Sequence, residues 1–360
     1  MWRKLGKILG IIVGWGAIVA YICYASHLAK LHRNEQQIKD IVIELSDSTA
    51  TQQLSSSARM HQQLRRGKGA LKGREIDSVD AVSIARLLER NGFIERAMVY
   101  TTYSGDLYIN IAERKPQLRM LMNGYNSFAT DDGYIFRTPQ GSACYTAVAT
   151  GSYRPPFSAS FEGSITTLRT EQRKVAEERL DKIYAEYNNI KAKQRELHSE
   201  RNALRKERKK KIFENEKNHT LRNQGIEAKL AQISKEQASI AKKAKSVEAQ
   251  QRLVVKQQER LERRFDDFEK LLAFVEKVNR EEFWSAEIVQ MVVDTTSLGA
   301  ISLRLIPRSG NFVVDFGTLD NASDKLDKLR TFYDNGLAHL GWERYKSIDI
   351  RYNKQVICRE

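Results

Sequence analysis

The chain has 360 residues, enough for two or three domains, and its 41% hydrophobic and 29% charged residues exclude both a disordered chain and a polytopic membrane protein. The formal net charge of +15 is unevenly distributed: residues 169–264 hold 27 Lys/Arg against 15 Asp/Glu, so the rest of the chain is nearly neutral. The basicity therefore belongs to one segment, which argues against a protein built as a whole to bind nucleic acid.

An apolar run without Asp, Glu, Lys or Arg occupies residues 8–29. As a helix it would span roughly 30 Å, the thickness of the hydrocarbon core of a bilayer. Basic residues lie on both sides with a slight excess before the run, which favours a cytoplasmic tail of residues 1–7 and export of everything that follows. A cleaved signal peptide is the alternative. Because its apolar region is usually only about 7–15 residues long, we predict a retained transmembrane helix.

Three glycines, Gly6, Gly10 and Gly14, are spaced four residues apart and share one face of that helix. Such spacing permits close packing against a second membrane helix. It is equally compatible with a smooth surface that faces lipid, and both interpretations stay open.

Residues 36–113 carry the pattern of a small α+β domain with the element order β-α-α-β-β. The second helix is predicted to begin at Asp77 or Ser78, because either side chain can cap its first amides. The last two strands are predicted to form a hairpin with a two-residue connection at Ser104-Gly105. The predicted elements are a strand at 38–45, helices at 55–65 and 77–88, and strands at 94–102 and 107–112.

The last of these strands ends at Glu113 and Arg114, with Pro116 two residues further on. Proline cannot donate to a β-ladder, and it forces the residue before it into an extended conformation. The chain is therefore expected to leave one sheet without a helix and to enter the next element stretched. We predict that Glu113, Arg114 and Pro116 form an interdomain hinge.

A second, β-rich domain is predicted in two parts, residues 114–162 and 268–360. Strand patterns stop at Gly151 and return only after residue 284. A helix with an apolar stripe is predicted at residues 321–340, and two short strands close the chain, the last at 355–359.

The segment between the two parts, residues 163–267, is predicted to be an inserted antiparallel coiled-coil hairpin. It contains no proline after residue 164, and apolar residues recur at spacings of three and four. Val175 belongs to the predicted stripe of the first arm, whereas the second arm follows the spacing more strictly. The turn formers of residues 215–224 are predicted to break the two arms, each about 45 residues and roughly 65–70 Å long.

Several short motifs resemble the FtsQ/DivIB family of bacterial cell-division proteins. They are the single β-α-α-β-β unit, which resembles a POTRA domain and ends in Glu-Arg-x-Pro, the FGTLDN at 316–321, and the IDIRY at 348–352. AVATG at 147–151 and FWSAEI at 283–288 are similar to the Bacteroidetes form of the family. The resemblance covers about residues 6–153 and 265–359, and the hairpin between them departs from it.

The resemblance implies a non-enzymatic scaffold of the inner membrane at the division septum, with its bulk in the periplasm. Its partners would be the membrane proteins FtsB and FtsL at the final strands and an upstream division protein at the POTRA domain. The match at 348–352 implies that Arg351 and Tyr352 contact a partner. The last strand is the predicted edge to which a partner strand adds, through Gln355, Val356, Ile357 and Cys358.

Residues 205–211, RKERKKK, form a dense basic patch near the predicted tip of the hairpin. It can contact anionic lipid, cell-wall polymer or an acidic partner, or it can be a solvated spacer. Nucleic acid is not an expected partner, because the exported side of a membrane offers none.

No nucleophile elbow, HExxH or phosphate loop is present, and the six histidines lack ligand spacing, so neither an enzyme, a metal nor a cofactor is predicted. Cys144 and Cys358 are either one disulfide or two separate thiols.

Two other classes of protein remain as alternatives to a division scaffold. A periplasmic adaptor of an efflux or secretion complex also combines an anchor with a coiled-coil hairpin, and an outer-membrane assembly chaperone would carry repeated POTRA units.

Overall fold

The computed structural model describes residues 14–28, 37–46, 52–138, 143–209, 215–297, 299–353 and 355–360. The chain divides into two compact units. The first contains the described residues up to Arg154 together with Ser158–Gly163 and Leu272–Glu360, and the second contains Pro155–Phe157 with Ser164–Leu271.

Near the N-terminus, residues 14–28 form a helix whose side chains are exposed. Gly14 has open space around its Cα. The rest of the predicted 8–29 span, with Gly6 and Gly10, lies outside the described residues. Within the part of the chain that the structure describes, no helix combines the length and the apolarity needed to cross a bilayer.

The first domain is a three-stranded sheet with two helices, in the predicted order β-α-α-β-β. The central strand, β4 (Leu107–Glu113), pairs in parallel with β1 (Ile41–Ser46) on one side and antiparallel with β3 (Ile94–Thr101) on the other. Its core is built from buried Met60 and Leu64, Ile84 and Leu88, and the strand residue Ile109. The elements are β1 (Ile41–Ser46), α1 (Ser57–Lys68), α2 (Ala81–Glu89), β3 (Ile94–Thr101) and β4 (Leu107–Glu113), with a two-residue strand β2 (Gln52–Gln53) between β1 and α1.

Two local predictions in this domain are wrong. Helix α2 begins at Ala81 because Asp80, rather than Asp77 or Ser78, accepts a hydrogen bond from the amide of Ser83 at 3.0 Å. Residues Ile76–Ser78 instead form a 3₁₀ turn. The connection between β3 and β4 is longer than two residues, because the amide of Thr102 bonds to the carbonyl of Asp106 at 2.9 Å and closes a wider loop.

The second domain is a ten-stranded mixed sheet. Its strands are β5 (Leu118–Met122), β6 (Tyr125–Ala129), β7 (Tyr134–Arg137), β9 (Ala147–Thr150), β10 (Gly163–Ser164), β11 (Ile288–Thr295), β12 (Ile301–Pro307), β13 (Val313–Gly317), β14 (Ser347–Asp349) and β15 (Ile357–Arg359). They lie in the order β10-β7-β6-β5-β9-β11-β12-β13-β14-β15, so strands before and after the long insertion are neighbours. A further two-residue strand, β8 (Ala143–Cys144), pairs with β2.

The two halves of this sheet meet where β9 pairs in parallel with β11, so that Met291 lies opposite Ala149. The chain then turns sharply at Gly151, whose φ is +110°. A Cβ there would lie 2.3 Å from the carbonyl oxygen of Val293. The Ser152 amide and hydroxyl both donate to Asp294, at 2.9 and 2.6 Å. This junction fixes the point at which the chain leaves the sheet.

A helix packs near the C-terminal half of the sheet, as predicted. It begins as α6 (Ala322–Phe332), passes through a π-helical turn (Tyr333–Leu337) and ends as α7 (Ala338–Leu340) before Gly341. Buried Leu326, Leu329 and Leu337 form its inner face. Tyr333 lies 6.1 Å or less, between ring centroids, from the rings of Phe283, Trp284, Phe312 and Trp342, and α5 (Glu282–Glu287) supplies two of them.

The second unit consists mainly of two long helices, α3 (Ile165–Glu207) and α4 (Glu216–Arg280). Arg169 contacts Glu262, Tyr187 contacts Glu248 and Arg208 contacts Glu227, so the helices run antiparallel. The predicted break at residues 215–224 is wrong. The carbonyl of Asn215 accepts the first helical hydrogen bond from the amide of His219, so the turn formers begin α4 instead of interrupting it.

The predicted stripe of the second arm is buried or half-buried along its length, including Ile226, Ile233, Val247 and Phe265. The stripe of the first arm contains one wrong prediction. Val175 is 65% exposed, and its neighbour Ala176 faces α4 in its place.

We expect Gly151→Ala to lower the free energy of unfolding by at least about 2 kcal/mol. The added methyl group must displace the backbone of Val293, and the alanine must adopt a positive φ. Gly124→Ala is the matched control: Gly124 also has a positive φ, +83°, but nothing lies within 4 Å of the position that an added methyl group would take. It should cost only about 1 kcal/mol. Urea unfolding of the purified protein measures both, and equal losses would contradict this account of the junction.

Candidate partner-binding site

The last strand of the chain, β15, lies at the end of the ten-stranded sheet. It pairs antiparallel with β14, with Ile348 opposite Cys358, and no other described strand pairs with it. The strand is shorter than predicted, since Gln355 and Val356 precede it. Ile357 is exposed at this edge and Cys358 is half-buried. The edge therefore presents unpaired backbone groups, as an acceptor for a further strand requires.

Arg351 follows β14 and is held by a buried carboxylate. Asp349 is only 2% exposed, and both of its oxygens accept hydrogen bonds from the Arg351 guanidinium, at 2.9 Å from Nε and 2.5 Å from a terminal nitrogen. The backbone amide of Arg351 adds a third bond at 3.1 Å. The guanidinium hydrogen bonds hold the pKa of Asp349 below its usual value despite burial.

The backbone around Arg351 is fixed from two sides. The ammonium of Lys328 on α6 donates to the carbonyls of Ile350, at 2.8 Å, and Tyr352, at 2.5 Å. Gly317, at the end of β13, lies beneath the Arg351 side chain, since a Cβ there would be 2.7 Å from Cγ of Arg351. Half of the Arg351 side chain remains exposed, as does half of Tyr352. The structure thus presents both side chains from a rigid base.

The motif resemblance at residues 348–352 pointed to Arg351 and Tyr352 but did not indicate the residues that hold them. Asp349 stands in the same short motif, but its alternation with Ile348 and Ile350 predicts that it lies on the opposite, exposed face of the strand. All three residues are buried, so no sequence pattern indicated the burial of Asp349. Lys328 and Gly317 are distant in sequence, and only the fold brings them to this site.

The predicted hinge residues bridge the first domain and the ten-stranded sheet. Arg114 donates from Nε to the carbonyl of Gly92, at 3.1 Å, and its guanidinium carbon lies 3.5 Å from the ring centroid of Tyr134 on β7. Glu113 accepts a hydrogen bond from the amide of Leu54 at 3.0 Å. Burial raises the pKa of Glu113, although the backbone amides of Leu54 and Ser55 favour its charged form. Its other carboxylate oxygen is buried and accepts no hydrogen bond from the described residues.

Apolar packing reinforces the same joint. Leu54 is buried together with Phe128 and Phe136 of the large sheet. Gly92 is required there, because a Cβ would lie 2.7 Å from the Cβ of Phe136. Pro116 continues the chain into β5, and its carbonyl lies 3.5 Å from the hydroxyl of Thr146. Bending at this joint stays a prediction.

The other sequence-based candidates are placed as follows. Residues 205–207 of the basic patch form the end of α3, and residues 208 and 209 lie in the turn after it. Residues 210 and 211 lie outside the described residues. Cys144 and Cys358 are separate, half-buried thiols. Within the described residues, no three His, Cys, Asp or Glu side chains stand close enough to bind a metal ion together.

Two family models match the chain. Residues 36–112 match a POTRA-like domain, and residues 212–359 match the domain described as FtsQ/DivIB, C-terminal related. No curated protein matches it significantly. The C-terminal match includes α4, so the prediction that the whole hairpin departs from the family is wrong for its second arm. The domains matched here are of non-enzymatic scaffold types.

Asp349→Asn should destabilise the protein by about 1–3 kcal/mol, because it removes the buried negative charge and replaces one of the two acceptor oxygens with an NH2 donor that faces the Arg351 guanidinium. The lowered pKa of Asp349 means that its contribution is present above about pH 4 and is lost as the pH falls further, so the variant should lose part of the acid sensitivity of the wild type. Asp334→Asn breaks an exposed pair with Arg330 and should change stability by less than about 0.5 kcal/mol. Thermal unfolding from pH 7 to pH 2.5 separates the two.

Glu113→Gln should raise the melting temperature at pH 7. The raised pKa shows that burial disfavours the charged form, so a neutral amide that still accepts from Leu54 removes a penalty. The gain should shrink as the pH falls to about 4, where the carboxyl group becomes neutral in the folded and unfolded chains alike. Glu95→Gln, at an exposed position, is the control and should have no effect. A melting temperature for Glu113→Gln that is lower than wild type at pH 7 would contradict the assignment.

Proposed function

The chain belongs to the FtsQ/DivIB family, and on that premise we propose that it is a membrane-anchored scaffold of the bacterial division machinery whose terminal sheet edge captures another division protein. The family match supports division proteins as partners in general. The membrane proteins FtsB and FtsL are the proposed partners at the terminal edge, and an upstream division protein is the proposed partner of the POTRA-like domain.

The observation that carries this proposal is the position of β15. It is the last strand in the sheet order and pairs only with β14 among the described strands. A partner segment in an extended conformation gains main-chain hydrogen bonds by pairing with such an edge, and the alternating side chains beside it determine which segment fits. Addition of one strand requires no rearrangement of the ten strands already formed.

Arg351 and Tyr352 are proposed to provide side-chain specificity beside that edge. Ordering a flexible arginine on binding costs conformational entropy. Asp349 already holds the Arg351 guanidinium, and Lys328 holds the backbone on either side, so little of that cost remains. Tyr352 offers a large amphipathic surface, a residue type enriched among binding hot spots.

The apolar run at residues 8–29 is proposed to anchor the chain in the inner membrane at the division site, with residues 1–7 in the cytoplasm and the two domains in the periplasm. The alternative of a periplasmic pump adaptor receives no support from either match. A fluorescent fusion of the full chain distinguishes the two, since a division scaffold collects in a band at midcell and a pump adaptor does not.

Tyr352→Ala should weaken binding of FtsB and FtsL by about 1–3 kcal/mol, which is a loss of affinity of about 5-fold to 150-fold. The protein should remain folded, because half of the Tyr352 side chain is already exposed. Tyr103→Ala is the matched control at an 87% exposed tyrosine in the first domain, and it should leave this affinity unchanged. Titration of the purified proteins provides the measurement, and undiminished binding by Tyr352→Ala would count against the proposed contact.

A further inference from the structure

The two long helices do not follow the same spacing along the seam between them. On α3 the residues that face α4 near its start are Leu168, Gln172, Ala176 and Leu180, three successive steps of four. On α4 the facing residues alternate steps of three and four throughout. A step of four residues exceeds one helical turn by roughly 40°. Three such steps in succession therefore rotate the line of facing residues around α3, whereas the facing residues of α4 stay on one side of their helix.

A groove results from this mismatch. It has a volume of about 380 Å³ and is lined mainly by apolar atoms, including those of Ala176 on α3 and of Val254 and Leu261 on α4. The small side chain of Ala176 stands where a larger residue would fill the space. Val175, 65% exposed, lies beside it and extends the apolar lining to the surface.

One buried acceptor in the groove lacks a hydrogen-bond donor. The side-chain oxygen of Gln172 is buried and accepts no hydrogen bond from the residues that the structure describes. A buried acceptor without a donor is costly, which favours an occupant that carries polar side chains as well as apolar ones. A lipid chain offers no such donor.

The groove lining carries three arginines and two glutamates, which leaves it positive by one charge. Arg169 pairs with Glu262, Asp266 and Glu269, and Arg173 pairs with Glu262, whereas Arg179 makes no ion pair with any described residue. The surrounding segment, residues 169–264, carries 27 basic and 15 acidic residues. Two copies of such a segment repel each other, so a second copy of this chain is disfavoured as occupant and an acidic partner is favoured.

We propose that this groove binds an amphipathic helix of another protein, with an apolar stripe against Val175, Val254 and Leu261 and acidic residues on its flanks. A helix laid along the groove between two helices buries its apolar face in the manner of a third helix of a bundle. This surface lies in the helical unit and is distinct from the β15 edge.

The test uses the purified full-length protein in detergent and a fluorescently labelled synthetic peptide of three heptads, with leucine at the a and d positions and glutamate on the flanks. A scrambled peptide of the same composition and a peptide with lysine in place of glutamate are the ligand controls. Fluorescence anisotropy should show binding of the acidic amphipathic peptide that weakens with added salt, and at least tenfold weaker binding of both controls.

The protein variants locate the site. Val175→Asp introduces a negative charge into the groove, where it repels the glutamates of the peptide, and should weaken peptide binding at least tenfold. Leu253→Asp makes the same kind of change at a 58% exposed apolar residue that does not line the groove, and should change binding less than twofold. Circular dichroism checks that helicity is retained. If Val175→Asp loses it, Val175→Ser replaces that variant, with at least threefold weaker binding expected.

Four results would overturn the proposal. Equal losses in the groove variant and Leu253→Asp, or equal binding of the scrambled peptide, would show general adsorption to a basic surface. A dimer in analytical ultracentrifugation that Val175→Asp dissociates would identify a second copy as the occupant. Binding to phosphatidylglycerol vesicles that Val175→Asp abolishes, without peptide binding, would identify lipid.

Discussion

The parallel pairing of β9 with β11 is the constraint on which the large sheet depends. The two strands are separated in sequence by the whole helical segment, yet Ala149 lies opposite Met291. Parallel neighbours require a crossover connection, and here that connection contains two antiparallel helices that return the chain to its starting point. Gly151 and the Ser152–Asp294 hydrogen bonds secure the exit, so a long helical segment can be accommodated without disrupting the sheet.

The same sheet determines which strand lies at its C-terminal edge. Strands β5, β9 and β11 occupy its middle, and the chain then proceeds outward to β15, which is left with a free edge among the described strands. Asp349 and Lys328 hold the segment between β14 and β15, so Arg351 and Tyr352 project from a fixed backbone. At the boundary between the first domain and the sheet, Arg114 contacts the ring of Tyr134 and Leu54 packs with Phe128 and Phe136. A scaffold gains from such rigidity, because ordering costs are met on folding and not on binding.

The helical unit shows how a small departure from a repeat creates a surface. A strict alternation of three- and four-residue steps keeps two helices in continuous contact. The three successive four-residue steps of α3 place Val175 outside and Ala176 inside, and the seam opens into a groove at that level. The sequence pattern alone assigned Val175 to the interior, since a heptad count cannot distinguish two adjacent apolar residues when the period itself changes.

Periodicity in the sequence by itself determined the β-α-α-β-β unit, the interrupted β-domain and the two long helices, because each depends on local pattern. The order of short motifs indicated the family, and the resemblance of one motif implied a partner contact for Arg351 and Tyr352, which stays a prediction. Only the tertiary structure decided that Asp80 caps α2, that α4 starts after Asn215, and that Asp349 and Lys328 hold the segment around Arg351. Caps and turns are set by competition among neighbouring polar groups, and contacts between residues far apart in sequence exist only after the strands have paired, so neither leaves a periodic signal.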